Sequence, residues 1–195
     1  MARYTGPILK RCRALELEPQ VVGINKKSKR NPKRNTRKLS DYGMQLREKQ
    51  KAKFVYGVME KPFRKLYRLA ERMDGQTGWN LLKLLELRFD NVVYRMGFAS
   101  TRQQARQLIV HGHFRLNGKK VDIPSVTLKV GDVITVREKS HQNGIFKDTS
   151  SNLWNQMPWV SVDEDKLEGR VLSEPMRDNI DFPIEETQIV ELYSK

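Results

Sequence analysis

The feature that most narrows what this chain can fold into is a change of hydrophobic period at Gly112. Before it, Phe89, Val92, Val93 and Met96 recur at i, i+3, i+4 and i+7, the spacing of one buried helix face. After it, the pattern alternates every second residue: Phe114-Arg115-Leu116, then Asn117-Gly118, then Lys119-Lys120-Val121. Asn-Gly between two such runs predicts a tight hairpin, because both central positions of that turn need positive φ. A second strand pair is expected around Thr127-Leu128-Lys129-Val130, a Gly131-Asp132 turn and Val133-Ile134-Thr135-Val136-Arg137. Two helices followed by a small twisted β-sheet make one α+β unit, expected over residues 88–150.

Within that unit Gly97-Phe98-Ala99 separates the helices, and Ser100 with Gln103 fits a Ser-x-x-Gln capping box for the second. Ala105, Leu108 and Ile109 give this helix a narrow buried stripe. Arg102 and Arg106 stand one turn apart beside it, where stems can lie on the core and guanidinium heads face solvent or phosphate. Upstream, Ser40 and Asp41 offer an N-cap to a helix over residues 42–56. Another helix starts near Glu60-Lys61-Pro62 and closes at Asp74-Gly75, with Phe63, Leu66, Tyr67, Ala70 and Met73 at helical spacing. These faces are covered by the apolar block Leu81 to Leu87, so residues 41–87 are expected to form a helical first domain.

Charge narrows the partner. The chain carries 37 Lys and Arg against 23 Asp and Glu, a formal charge of +14, which points to a polyanion. The charge is segregated: residues 1–53 hold 16 basic and 4 acidic side chains, residues 81–140 hold 11 and 5, and residues 141–195 hold 5 and 11. The stretch from Lys26 to Lys38 (KKSKRNPKRNTRK) has no aliphatic or aromatic residue. It cannot bury surface to offset ordering entropy, and residues 1–40 are expected to be a basic arm that orders on phosphates. One cysteine, Cys12, can form neither an internal disulfide nor a thiolate zinc site. His111 and His113 stand two apart with no third ligand in view, so neither metal nor cofactor is expected. No apolar leader and no run of roughly 20 apolar residues is present, so no membrane role is expected and the cytosol is the expected compartment.

Residues 88–109 (RFDNVVYRMGFASTRQQARQLI), followed by Leu116-Asn117-Gly118-Lys119, closely resemble the S four family of bacterial small-subunit ribosomal proteins. Residues 39–51 (LSDYGMQLREKQK), residues 189–195 (IVELYSK), Ala2-Arg3-Tyr4 and Gly6-Pro7 resemble the same family. The central unit alone also resembles a module appended to pseudouridine synthases, aminoacyl-tRNA synthetases and a heat-shock RNA-binding protein. The flanking segments select the ribosomal family.

The resemblance implies a mostly helical first domain completed by the C-terminal segment, about residues 160–195, with the α+β RNA-binding module inserted. It also implies a primary binder of small-subunit ribosomal RNA at a multi-helix junction of the 5′ domain, nucleating assembly of the body. Partners implied are neighbouring small-subunit proteins, protein S five above all, and messenger RNA where it enters the subunit, with an influence on decoding accuracy. Two departures matter. Relatives with four N-terminal cysteines bind zinc, whereas only Cys12 stands here, so the zinc-free variant is expected. The usual Pro-Gly-Gln-His-Gly turn is replaced by Lys29-Arg30-Asn31-Pro32-Lys33, so contacts in that stretch do not transfer residue by residue.

A protein that recognises an RNA junction works through phosphates, 2′-hydroxyls and helix placement, because A-form RNA hides its major-groove base edges. The expected contacts in the arm and first domain are Arg3, Arg11, Arg13, Lys26, Lys27, Lys29, Arg30, Lys33, Arg34, Arg37, Lys38, Arg47 and Lys49. Those in the module are Arg88, Arg95, Arg102, Arg106, Arg115, Lys119 and Lys120, with Ser100, Gln103 and Asn117 as polar positioners. Two other classes share the module: an RNA-modifying enzyme and a free RNA chaperone. Against the enzyme, residues 141–195 offer His141 and acidic side chains with no nucleophile-and-base pattern; against the chaperone stand the flanking family segments. No small-molecule substrate is expected, and the acidic end, after Trp154 and Trp159, suits packing on the first domain or a basic neighbour.

Overall fold

The structure is a computed structural model, and it describes residues 4–26, 30, 39–147 and 156–194. In chain order its elements are α1 (Ile8–Leu15), a 3-10 turn (Pro19–Val22), α2 (Asp41–Val55), α3 (Glu60–Ala70), α4 (Thr77–Glu86), α5 (Phe89–Arg95), α6 (Arg102–Val110), β1 (Phe114–Leu116), β2 (Lys119–Lys120), β3 (Val133–Val136), α7 (Glu138–His141), α8 (Gly144–Lys147), β4 (Val160–Asp163), β5 (Glu168–Val171), a 3-10 turn (Arg177–Asn179) and α9 (Glu186–Tyr193). The class is α+β. Two compact units divide the chain, Met1–Leu82 with Ile180–Lys195, and Lys83–Asn179.

In the first unit α2 starts where Ser40 caps it, the Ser40 hydroxyl accepting from Gly43 N at 3.2 Å, and Asp41 favours the positive helix end. Asn80 closes the end of α3 from a distance, its side-chain amide reaching the carbonyls of Met73 and Asp74 at 3.3 and 3.1 Å. The apolar faces of α2 and α3 are covered by the last residues of the chain. Ile189 is buried, Phe182 packs edge-on to Tyr56 at 5.9 Å, and the Tyr193 ring lies 4.5 Å from Tyr67. Polar bonds fix the docking: Gln45 Nε2 donates to Glu191 at 2.9 Å and Glu185 N donates to Glu48 at 3.1 Å.

The second unit is an antiparallel sheet of order β2-β1-β3-β5-β4, packed on α5 and α6. Asn117 and Gly118 turn the β1–β2 hairpin with φ of 50° and 77°, both positive as a type I′ turn requires. Phe114 sits in an aromatic cluster with Phe89, Phe98 and Phe146, ring centroids 5.8 to 6.2 Å apart.

Three expectations are corrected here. Residues 127–130 do not pair with β3: Thr127 makes a single bridge to Arg88, and Leu128 N bonds Leu87 O at 2.8 Å. Both edges of β3 are already taken, by β1 and β5. The partner β5 and its neighbour β4 come from residues 160–171, which the sequence reading assigned to completion of the first domain. Only from Ile180 onward does the chain join the first unit. Finally the first unit gives way to the second at Lys83, inside α4, ahead of the boundary expected after Leu87.

Candidate nucleic-acid interface

Which cations can meet a polyanion depends first on which ones the fold uses. In the second unit Arg95 is fully buried, and its guanidinium bonds both oxygens of Glu86 at 3.1 and 3.2 Å. Asn91 donates to the same carboxylate at 2.7 Å and accepts from Arg102 Nε at 2.7 Å. Arg102 lies over the Tyr94 ring, 4.4 Å from its centroid. Arg88 makes a two-toothed pair with Asp90 at 3.0 and 2.7 Å, both groups buried. A buried charge is tolerated when paired and hydrogen-bonded. These bonds join α4, α5 and α6, and they draw Arg88, Arg95 and Arg102, which the sequence places at the RNA, into the interior of the fold.

The polar positioners change role as well. Thr101, one residue after the expected cap, caps α6 by accepting from Gln104 N at 3.1 Å. Ser100 bonds Gln104 Oε1 through both its amide and its hydroxyl, while Gln103 is left on the surface. Asn117 is taken up by the hairpin, donating to Asp132 at 2.8 Å and accepting from Val133 N at 2.9 Å.

In the first unit Arg11 bonds Gln50 at 3.1 Å, Arg47 pairs with Glu16, and Lys49 pairs with Glu60 at 3.1 Å beneath the Tyr193 ring. Arg13 is half-buried; Lys26 and Arg30 are exposed. Arg3, Lys27, Lys29, Lys33, Arg34, Arg37 and Lys38 lie outside the described residues.

What remains is a compact exposed set on the hairpin. Arg115, Lys119 and Lys120 are exposed, and Arg115 stands directly opposite Lys120. Arg106, its side chain 29% exposed, leans on Asp90 at 3.3 Å. One row runs across the outer sheet face through Lys120, Arg115, Thr135, Glu168 and Asp163. Cations occupy its β1–β2 end and carboxylates its β4–β5 end, so a polyanion is attracted at one side and repelled at the other. Beside this set stand Arg137, which the sequence reading passes over, and His111 and His113, which it weighs only as metal ligands. The β1–β3 pairing opposes Phe114 to Val136, which brings Arg137 level with His113; that register is the signal that could have found them.

Residues 87–134 match the S4 domain family, and residues 3–86 match the family of the ribosomal protein S4/S9 N-terminal domain. Curated relatives are similar along their whole length. The small ribosomal subunit protein uS4 of Lachnospira eligens is 54% identical over 197 residues, covering 100% of both chains. Proteins of the same name from Agathobacter rectalis and a Thermoanaerobacter species are 52% and 50% identical, again covering 100% of each chain.

Proposed function

The chain belongs to the small ribosomal subunit protein uS4 family, and from that premise we propose that it is a primary ribosomal RNA binder that nucleates assembly of the small-subunit body at a multi-helix junction of the 5′ domain. As a member of that family it is a structural component of the small ribosomal subunit and not an enzyme, and its place is in the ribosome. The proposal adds a cytoplasmic ribosome, contact with protein S five, a place where messenger RNA enters and an influence on decoding accuracy.

The observation that carries the RNA-binding geometry is the separation of cations in the second unit. Arg95 and Arg88 are paired in the interior with Glu86 and Asp90, and Arg102 is held there by Asn91 and the Tyr94 ring, whereas Arg115, Lys119 and Lys120 stand exposed on the hairpin. A strand pair has already fixed the backbone that carries these Lys and Arg residues, so only side-chain freedom is lost as they meet phosphates. The carboxylates of β4 and β5 share that sheet face but lie at its far end, which in this reading meets a basic neighbour and not RNA. Chemical footprinting on naked small-subunit ribosomal RNA tests the proposal: protection concentrated at one multi-helix junction is expected, and protection spread evenly over the RNA would refute it. The logarithm of the binding constant should fall with log salt by roughly 0.7 to 0.9 per neutralised phosphate.

A further inference from the structure

Several cations meet around one glycine, and only Lys120 of them belongs to the interface set out above. Gly112 has φ of 72°, and a Cβ placed on it would lie 2.9 Å from Lys120 Cε, 3.6 Å from Lys120 Nζ and 3.9 Å from Arg137 Nη1. The absent side chain lets an ammonium and a guanidinium flank bare backbone. Arg137 is held there twice, Nη1 donating to Gly112 O at 3.0 Å and the backbone N donating to His113 O at 2.9 Å. Among the described residues, no carboxylate lies in ion-pair distance of Lys120 or Arg137.

Two imidazoles complete the group. The half-buried His113 has Nδ1 3.0 Å from Ser140 Oγ and its ring 6.0 Å from Phe146, so α7 and α8 fix its plane. His111, exposed at the end of α6, lies 6.2 Å away ring to ring. The ionisable groups bearing on His113 are His111 and Arg137; Lys120 lies across Gly112 from Arg137, and Glu138 and Lys139 of α7 are exposed. Burial, then the charges of His111 and Arg137, hold the His113 imidazole below its ordinary range, so it is largely neutral near pH 7 in the free protein. A phosphate arriving among these groups reverses the local field and favours the imidazolium.

We infer that His111, His113, Lys120 and Arg137 form a binding site for an RNA phosphodiester, in which an imidazole takes up a proton as the phosphate enters. The inference rests on the chain being an RNA binder and adds a site and a proton to that reading. Linkage then requires RNA affinity to rise as pH falls, since the bound state holds more protons than the free one.

The test uses the full chain and a transcript of the 5′ domain of small-subunit ribosomal RNA, at constant ionic strength. Between about pH 7.5 and pH 6.0 the wild-type association constant should rise roughly 3- to 10-fold, and that of the double variant His111→Gln/His113→Gln should change by less than about twofold. Equal pH responses in the two proteins would overturn the site. Because His113 packs against Ser140 and Phe146, a measurement on the unaltered protein guards against a folding defect. Imidazole resonances titrated in free and RNA-bound protein should show His111 or His113 rising by roughly one pH unit on binding, with His141, held at Val136 O, moving less. If neither rises beyond His141, the inference fails. Absence of salt-sensitive binding at any pH would instead remove the RNA-binding reading itself.

Discussion

Arg95 and Lys120 lie in the same folded unit and carry the same charge, yet they sit in opposite dielectric environments. Arg95 has no exposed surface and bonds both oxygens of Glu86, so its charge is matched inside the fold. Lys120 stands at the sheet edge opposite Arg115, a like-charge neighbour. Cross-strand like charges disfavour the hairpin unless an anion is present. In the proposed reading the interior set acts on stability and the hairpin set on binding.

The sharpest way to break this division is Glu86→Ala, which removes the carboxylate that the buried Arg95 guanidinium bonds. Loss of one partner of a buried pair costs about 3–5 kcal/mol, so denaturant unfolding followed by a probe in the second unit should shift strongly. A loss below about 1 kcal/mol would mean that solvent reaches Arg95. The complementary change, Arg115→Ala with Lys119→Ala and Lys120→Ala, should leave stability within about 0.5 kcal/mol. It should lower affinity for the 5′-domain transcript roughly 10- to 100-fold near 0.1 M salt and flatten the salt dependence by about two to three units of slope. If the triple variant unfolds early while binding normally, the two sets have been assigned the wrong way round.

A smaller effect is expected at the turn that joins the hairpin cations. Gly118 sits at φ of 77° with nothing within 4 Å of a Cβ placed there, so Gly118→Ala meets backbone strain without a clash. The expected cost is about 1 kcal/mol, read from thermal unfolding. The smallest effect belongs to the first unit, where Glu60 gathers Lys53, Lys49 and the Tyr193 hydroxyl at 2.6, 3.1 and 2.9 Å. Burial pushes its carboxyl up, but these three partners outweigh burial and lower it to about 2. A carboxyl depressed in the folded state contributes stability above its unfolded value and loses it as pH falls from about 4.5 toward 2. Since Glu60 is half exposed the contribution is modest. Melting temperatures of wild type and Glu60→Gln should converge on acidification from about pH 5 to pH 2.5, and parallel curves would show the pairs to be screened out.

The contrast between the two cation sets also marks how much was legible in the sequence. Arg88, Asn91 and Arg95 recur on one helix side, and that side reads as solvent when polar residues define it. The acids that neutralise it, Glu86 and Asp90, lie within the same turns, and nothing in spacing separates a buried ionic face from a wetted one. Val160 and Val162 alternate ahead of the Asp163-Glu164-Asp165 turn, with Gly169 and Val171 after it. The strand signal was present, but the acidic composition of residues 141–195 pointed to a tail. Gly169 belongs to the same lesson: a Cβ there would meet the Met96 side chain, a closeness that exists only once β5 has docked on α5.

What the sequence by itself determined is local or compositional. The hairpin at Asn117-Gly118, the cap at Ser40, the apolar stripe of Phe89, Val92, Val93 and Met96, and the excess of cations all follow from dihedral preference, periodicity and charge, and the motifs carried the family. What only the tertiary structure decided is which cations remain available and which distant segments meet. Ion pairing and burial depend on distances between residues far apart in the chain: Arg102 is bound to Asn91 eleven positions away, Gln45 to Glu191 across 146, and Arg137 reaches Gly112 through the β1–β3 register. A guanidinium has the same charge at either address, and only the packing around it determines whether that charge stabilises the fold or is presented to RNA.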